Sequence, residues 1–333
     1  MKTNKFLAVG LMATMILSSC SNSEDPALGA GTTANAIELT AGIGAQTRAV
    51  IKPGYENDLP VAFARLDPAG TGTGTGSLWN LPELKAVRVG GSGATAIVFE
   101  TTQEYPASNG ITSLFGYYPR PASTPVTSTA NKAVADYSIT GDEDIMATDY
   151  LTGAANNPFT TCTFKHLLAQ VQIRLVASDD AKALWGNGDG TGVTVSVQGV
   201  PRALQLTLTK SGSTGSAVLS VHGTPDTGDL PVHGLPEVTN PDDLSPVLGY
   251  CMLFPTPNLG SGSTPLTLQV TANYNTNSVT KTVSITNIAG GLQAGVSNIV
   301  TLILTKTGEI SATAKAEIAD WNPGANGSGV VTP

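Results

Sequence analysis

The chain is predicted to be all-β: two tandem β-sandwiches with few, short helices. Three observations carry that expectation. Apolar residues repeatedly fall on alternate positions, and these runs are bounded by Gly, Pro or Asn. Charged residues make up only 13% of the 333 residues, about half the share typical of soluble domains, which leaves little material for salt-bridged helices.

The chain opens with Lys2 and Lys5 and an apolar run from Phe6 to Leu17, too short to span a bilayer as a helix. Leu17-Ser18-Ser19-Cys20 closes it in the pattern of a lipoprotein cleavage site, where lipid joins the cysteine thiol before the leader is removed. Residues 1–19 are therefore expected to be a signal peptide and Cys20 the lipidated residue. An ordinary secretory leader with an incidental cysteine is the plainer alternative. The acidic Ser21–Pro26 stretch and the Gly/Ala/Thr residues up to Ala34 bury too little surface to fold and read as a tether. No later stretch is apolar enough to cross a membrane, so anchoring by lipid is expected.

Beyond the tether, alternation marks one strand after another. It appears at Ile37, Leu39, Ala41 and Ile43, then at Val171, Ile173 and Leu175, at Val193, Val195 and Val197, and at Leu204, Leu206 and Leu208. Leu266 to Tyr274 form the longest set, facing Val279, Val283 and Ile285 across a turn at Asn275-Thr276-Asn277. Shorter apolar runs at Val61–Leu66, Ala94–Glu100, Ser113–Tyr118, Tyr250–Phe254 and Ile299–Leu304 complete the pattern. One short helix is predicted from Asp180 to Trp185, stopped by Gly186. Strands on both sides of Asn156-Asn157-Pro158 place a hinge there, dividing the chain into an N-terminal sandwich over 49–157 and a C-terminal one over 158–308. Residues 20–48 hold the tether and first strand, and 309–333 a closing segment.

The chemistry-bearing residues do not assemble into a catalytic pattern. His166 heads a strand, His222 and His233 lie in Gly/Pro-rich loops, and none has a second ligand at metal spacing. Asp142-Glu143-Asp144 and the 186–190 loop lack the ligand order of a calcium loop. No catalytic residue, metal or cofactor is assigned, and an enzyme is not expected. The formal net charge of −8 argues against nucleic acid as a partner. Cys162 and Cys251 are open to two readings, a disulfide or two buried thiols, since both lie in apolar strand-like runs.

The two ends of the mature chain are the informative parts. Ile37–Ile43 is followed at once by Gln46-Thr47-Arg48-Ala49. At the far end Ile310, Ala312, Ala314, Ala316 and Ile318 alternate with polar residues before Trp321-Asn322-Pro323. Alternation does not reveal whose groove a strand occupies, so either end can equally be an ordinary strand of its own sandwich.

The lipoprotein site, Thr47-Arg48-Ala49, Asp144-Ile145-Met146-Ala147, Phe164-Lys165-His166-Leu167-Leu168-Ala169 and Ala316-Glu317-Ile318-Ala319-Asp320-Trp321 occur in an order that resembles the fimbrillin-like family of type V pilins. The resemblance covers most of the chain after the tether. It implies two transthyretin-like β-sandwiches, export as an outer-membrane lipoprotein, and cutting between Arg48 and Ala49 by an arginine-specific protease. The displaced strand would be Ile37, Leu39, Ala41 and Ile43. The donor strand that refills the groove would be Ile310, Ala312, Ala314, Ala316 and Ile318 of the next subunit. Implied partners are copies of the chain and related fimbrial subunits, the protease, the outer membrane before cleavage, and a host or bacterial surface ligand. The mature protein would be an extracellular fimbrium. A tip or anchor subunit of the same family is the nearest alternative. A glycan-binding surface lipoprotein comes next, although aromatic residues are only 5% and the tryptophans are scattered.

Overall fold

The computed structural model describes residues 35–44, 51, 54–66, 81–120, 127–129, 132–186, 191–224, 226–242 and 248–318. Cys20, Arg48, Ala49 and Trp321 lie outside them. Among the described residues the first ten strands are β1 (Leu39–Ile43), β2 (Leu59–Leu66), β3 (Leu81–Arg88), β4 (Thr95–Phe99), β5 (Thr112–Tyr118), β6 (Thr127–Thr129), β7 (Lys132–Ser138), β8 (Met146–Ala147), β9 (Leu151–Gly153) and β10 (Thr161–His166). The remainder are β11 (Ala169–Val176), β12 (Thr194–Pro201), β13 (Ala203–Ser211), β14 (Thr214–Val221), β15 (Thr227–Pro231), β16 (Gly249–Leu253), β17 (Ser261–Tyr274), β18 (Asn277–Asn287), β19 (Ser297–Leu304) and β20 (Ile310–Ile318). The fold is all-β, of the β-sandwich class that the alternation predicts.

In the first body, hydrogen bonding runs β2-β3-β4-β1-β10-β8-β5 and returns from β5 to β2, closing a ring, with β9 added alongside β5. Alternation sends Leu39, Val61, Phe63, Leu84, Ile97, Leu114 and Phe164 inward to one core. The opposite faces of β2 and β5 are also covered. Ala62, Ala64, Phe115 and Tyr117 pack with Ala133, Ala135, Leu206 and Leu208 from a second sheet, ordered β14-β13-β7-β6. Inside the first core, close packing admits no side chain at Gly116, where a Cβ would lie 2.8 Å from a Phe63 ring carbon and 3.0 Å from Phe164.

The second body is a sandwich of β16-β11-β19-β20 against β15-β12-β17-β18. Val171, Ile173, Cys251 and Leu302 from one sheet meet Val195, Leu268, Val270 and Ile285 from the other. The predicted hairpin joins β17 and β18, and Asn275 and Thr276 take φ of 47° and 66°, both left-handed, as a tight two-residue turn requires.

Pairing interleaves across Asn156–Pro158. β10 follows that point in sequence but lies beside β1 in the first body, while β7, which precedes it, pairs with β13. The helix is shorter than predicted: α1 spans Asp179–Lys182. Trp185 leaves the helical path to bridge Tyr274, and its buried indole donates to the Thr305 carbonyl at 2.8 Å. Cys162 and Cys251 are buried free thiols in separate cores, which resolves the cysteine alternatives. Burial pushes both thiols up to about 12, with Glu143 and Asp142 adding to the effect at Cys251.

Candidate functional site

The two end strands occupy very different places. β1 is an interior strand, paired antiparallel with β4 (Leu39 opposite Ile97, Ala41 opposite Thr95) and parallel with β10 (Ala41 opposite Cys162, Ile43 opposite Phe164). Ile37, Leu39, Ala41 and Ile43, the predicted inward set, are all buried, with Ala41 fully so. Burial of Ile37, Leu39 and Ile43 contributes roughly 1.5–3 kcal/mol each. The neighbouring backbone extends the hold, since Ile37 N–H donates to Gln103 O at 2.7 Å and Gly44 N–H to Phe164 O at 2.7 Å.

Two buried polar side chains grip β1 from within. Arg88, at the end of β3, is fully buried and faces only main-chain carbonyls. Its Nε donates to Ala41 O at 3.0 Å, and its two terminal nitrogens donate to Val89, Gly91 and Gly93 in the turn between β3 and β4. Burial lowers its pKa from the ordinary value. His166, at the end of β10, places Nδ1 2.8 Å from Asp144 Oδ2 and Nε2 3.2 Å from Gly44 O. The Gly44 carbonyl can only accept, so Nε2 carries the proton in that bond.

Downstream of β1, Ile51 re-enters the same core with its side chain buried. The Arg48–Ala49 bond therefore falls between two anchored residues, Ile43 and Ile51.

β20 is an edge strand. Among the described residues it pairs with β19 alone, antiparallel, from Leu304 opposite Ile310 to Asn298 opposite Ile318, with a bulge between Ile299 and Thr301. Ile310 is half-buried against the second core. Leaving this position breaks one ladder, whereas removing β1 breaks two.

Elsewhere the titratable residues serve turns and pairs. Glu143 accepts from the Thr140 and Gly141 amides, and Asp142 from the Thr140 hydroxyl at 2.6 Å. His222 pairs with Asp136 at 3.3 Å, and His233 Nε2 lies 3.2 Å from Thr140 O. A cleft of about 300 Å³ is lined by Glu83, Leu84, Lys85, Glu100, Thr101 and Gln103. Both of its carboxylates face Arg120, Glu100 at 2.8 Å and Glu83 at 3.9 Å. No group of three potential metal ligands occurs among the described residues. Sequence reasoning missed Arg88 and the His166–Asp144 pair as holders of β1. Their one visible signal was a charged or titratable residue ending an otherwise apolar-alternating strand.

The arrangement defines a β-sandwich protein with a short terminal strand sealed into the middle of its first sheet. The Fimbrillin-like family matches residues 47–321, and the chain belongs to that family. No curated protein matches it. Among solved structures, a protein assigned to cell adhesion from Bacteroides uniformis shares 17% identity over 86% of this chain and 99% of its own, with a TM-score of 0.53. A second, also assigned to cell adhesion and from Bacteroides ovatus, shares 13% identity over 88% and 100%, with a TM-score of 0.50. At these identities the likeness is one of fold.

Proposed function

We propose that the protein is a structural subunit of a cell-surface fimbria, not an enzyme, and that it polymerises by strand exchange. It is exported as a lipoprotein through Cys20 and held at the outer membrane. An arginine-specific protease then cuts after Arg48, β1 departs, and the 310–318 segment of a second copy takes its place. The observation that carries this reading is the placement of β1: a five-residue strand, the first among the described residues, that closes a ring on both sides.

The physics of the step follows from that placement. Withdrawal of β1 exposes backbone donors and acceptors on β4 and β10 and uncovers the apolar floor beneath Leu39 and Ile43. A strand from another copy restores both ladders and places alternate side chains in the vacated pockets. Ile310 to Ile318 spans about 30 Å at ~3.3 Å per residue, longer than β1. Because donor and acceptor are different surfaces, the contact propagates head to tail as a filament. The family match begins at Thr47, one residue before Arg48, leaving β1 outside it, which supports the assignment of β1 as the removable part.

The test is digestion of the soluble chain 21–333 with an arginine-specific protease, followed by intact mass and electron microscopy. One cut after Arg48 with filaments appearing is the expected result. Resistance at Arg48 overturns the processing step and favours an anchor subunit. A clean cut that leaves only monomers removes the exchange step.

A further inference from the structure

Arg88 and His166 hold β1 without reference to its side chains. Arg88 Nε takes the carbonyl of Ala41 and His166 Nε2 that of Gly44, three residues further along the same strand. Both donors are themselves held in place, Arg88 by three carbonyls of the β3–β4 turn and His166 by Asp144. Because every residue carries a carbonyl and its direction alternates along a strand, the two donors reject a one-residue slip and accept a two-residue one. A slip by one residue also turns the apolar side chains out of the core.

We infer that the 310–318 segment of a second copy enters this slot with Ala316 in the place of Ala41 and Ile318 in the place of Ile43. This rests on the exchange reading above.

With the polarity of β1 retained, three frames keep the apolar face inward and an alanine at the fully buried Ala41 position. The first puts Ile310 at Ile37, the second Ala312 at Ile37, and the third Ile310 at Leu39. Two observations select the second. At Gly44 an added Cβ would lie 3.1 Å from Phe164 O and 4.0 Å from the His166 ring, a tight site that receives Ala319 in the second frame but Glu317 in the first and Lys315 in the third. Ile310 packs against the second core of its own copy, and only the second frame lets it stay there while the residues after it cross to the neighbour. Gly42, where a Cβ comes no nearer than 3.8 Å to Thr163 Oγ1, has room for the Glu317 that the second frame places there.

The native Cys162 reports the register directly, because it lies opposite Ala41. Ala312→Cys, Ala314→Cys and Ala316→Cys are made singly in the 21–333 chain carrying Cys251→Ala. Each is cut and then assembled in the presence of copper–phenanthroline, so that oxidation begins while the slot is open, and the linked peptides are identified by mass spectrometry. The expected result is a link from Ala316→Cys to Cys162 of another copy, at least about five-fold above the other two positions. Predominant linking at Ala314→Cys means a two-residue slip and overturns the register. Filaments without any link overturn occupancy of this slot, whereas absence of filaments by electron microscopy shows that the exchange reading itself has failed.

Discussion

Trp185 and Thr305 join the start of the second sandwich to the base of its last strand. The indole N–H donates to the Thr305 carbonyl at 2.8 Å, and Tyr274, packed against that indole, donates its hydroxyl to the next carbonyl, that of Lys306. The turn that launches β20 is thus bound to the core by two aromatic side chains. Trp185→Phe removes one donor and part of a fully buried side chain. It is expected to cost about 2 kcal/mol, read as a lower urea midpoint at constant slope.

Ala41 has no exposed surface, and Arg88 bonds its carbonyl. Ala41→Leu overfills that site and is expected to weaken β1 by about 1–3 kcal/mol. Hydrogen exchange should quicken across 37–43 while the β11 and β19 amides keep their protection. Uniform quickening of both bodies would instead show that β1 does not open separately.

The two thiols predict an alkaline weakness with a definite sign. Unfolded cysteines ionise near about 8.5, whereas burial holds Cys162 and Cys251 up to about 12. Their contribution is therefore complete below the unfolded value and is lost as pH rises through the interval towards 12. Buried tyrosines act in the same direction, Tyr118 also being pushed up to about 12. The comparison that isolates the thiols is the native chain against a Cys162→Ala/Cys251→Ala variant. Between pH 8 and 10.5 the native urea midpoint should fall further. At pH 8 the native thiols should resist a disulfide reagent until the chain unfolds.

Arg48→Ala should leave a folded chain that an arginine-specific protease does not open at this bond, and that stays monomeric by light scattering. Ordinary filament yield from this variant would count against cleavage as the trigger.

The strands with strong alternation were legible in the sequence because their period matches a half-buried pleat. Ile37–Ile43, Leu204–Leu208 and Leu266–Tyr274 all fall within or beside observed strands. β14 escaped because it lies at the edge of its sheet, with Gly and Ser among its residues and most of its side chains solvated. β3 and β7 escaped because their alternation is short and rests largely on small side chains, Leu84 and Ala86 in one and Ala133 and Ala135 in the other. The placement of β10 beside β1 had no local signal at all. Cys162-Thr163-Phe164 reads as a strand from either side of the hinge, and a parallel partner more than a hundred residues away leaves no trace in spacing. Arg88 was hidden for a related reason: a buried guanidinium satisfied by carbonyls is recognisable only once the β3–β4 turn has folded around it.

Closure of the first sheet has a consequence for storage. Around β2-β3-β4-β1-β10-β8-β5 every strand has a neighbour on both sides, so within that circuit there is no free border on which a foreign strand could template itself. Under the proposed exchange, uncut chains would not zipper together through this sheet, and assembly would be limited by hydrolysis of one peptide bond rather than by concentration. Each opened copy would then present two fresh borders at once, shaped for a single incoming strand.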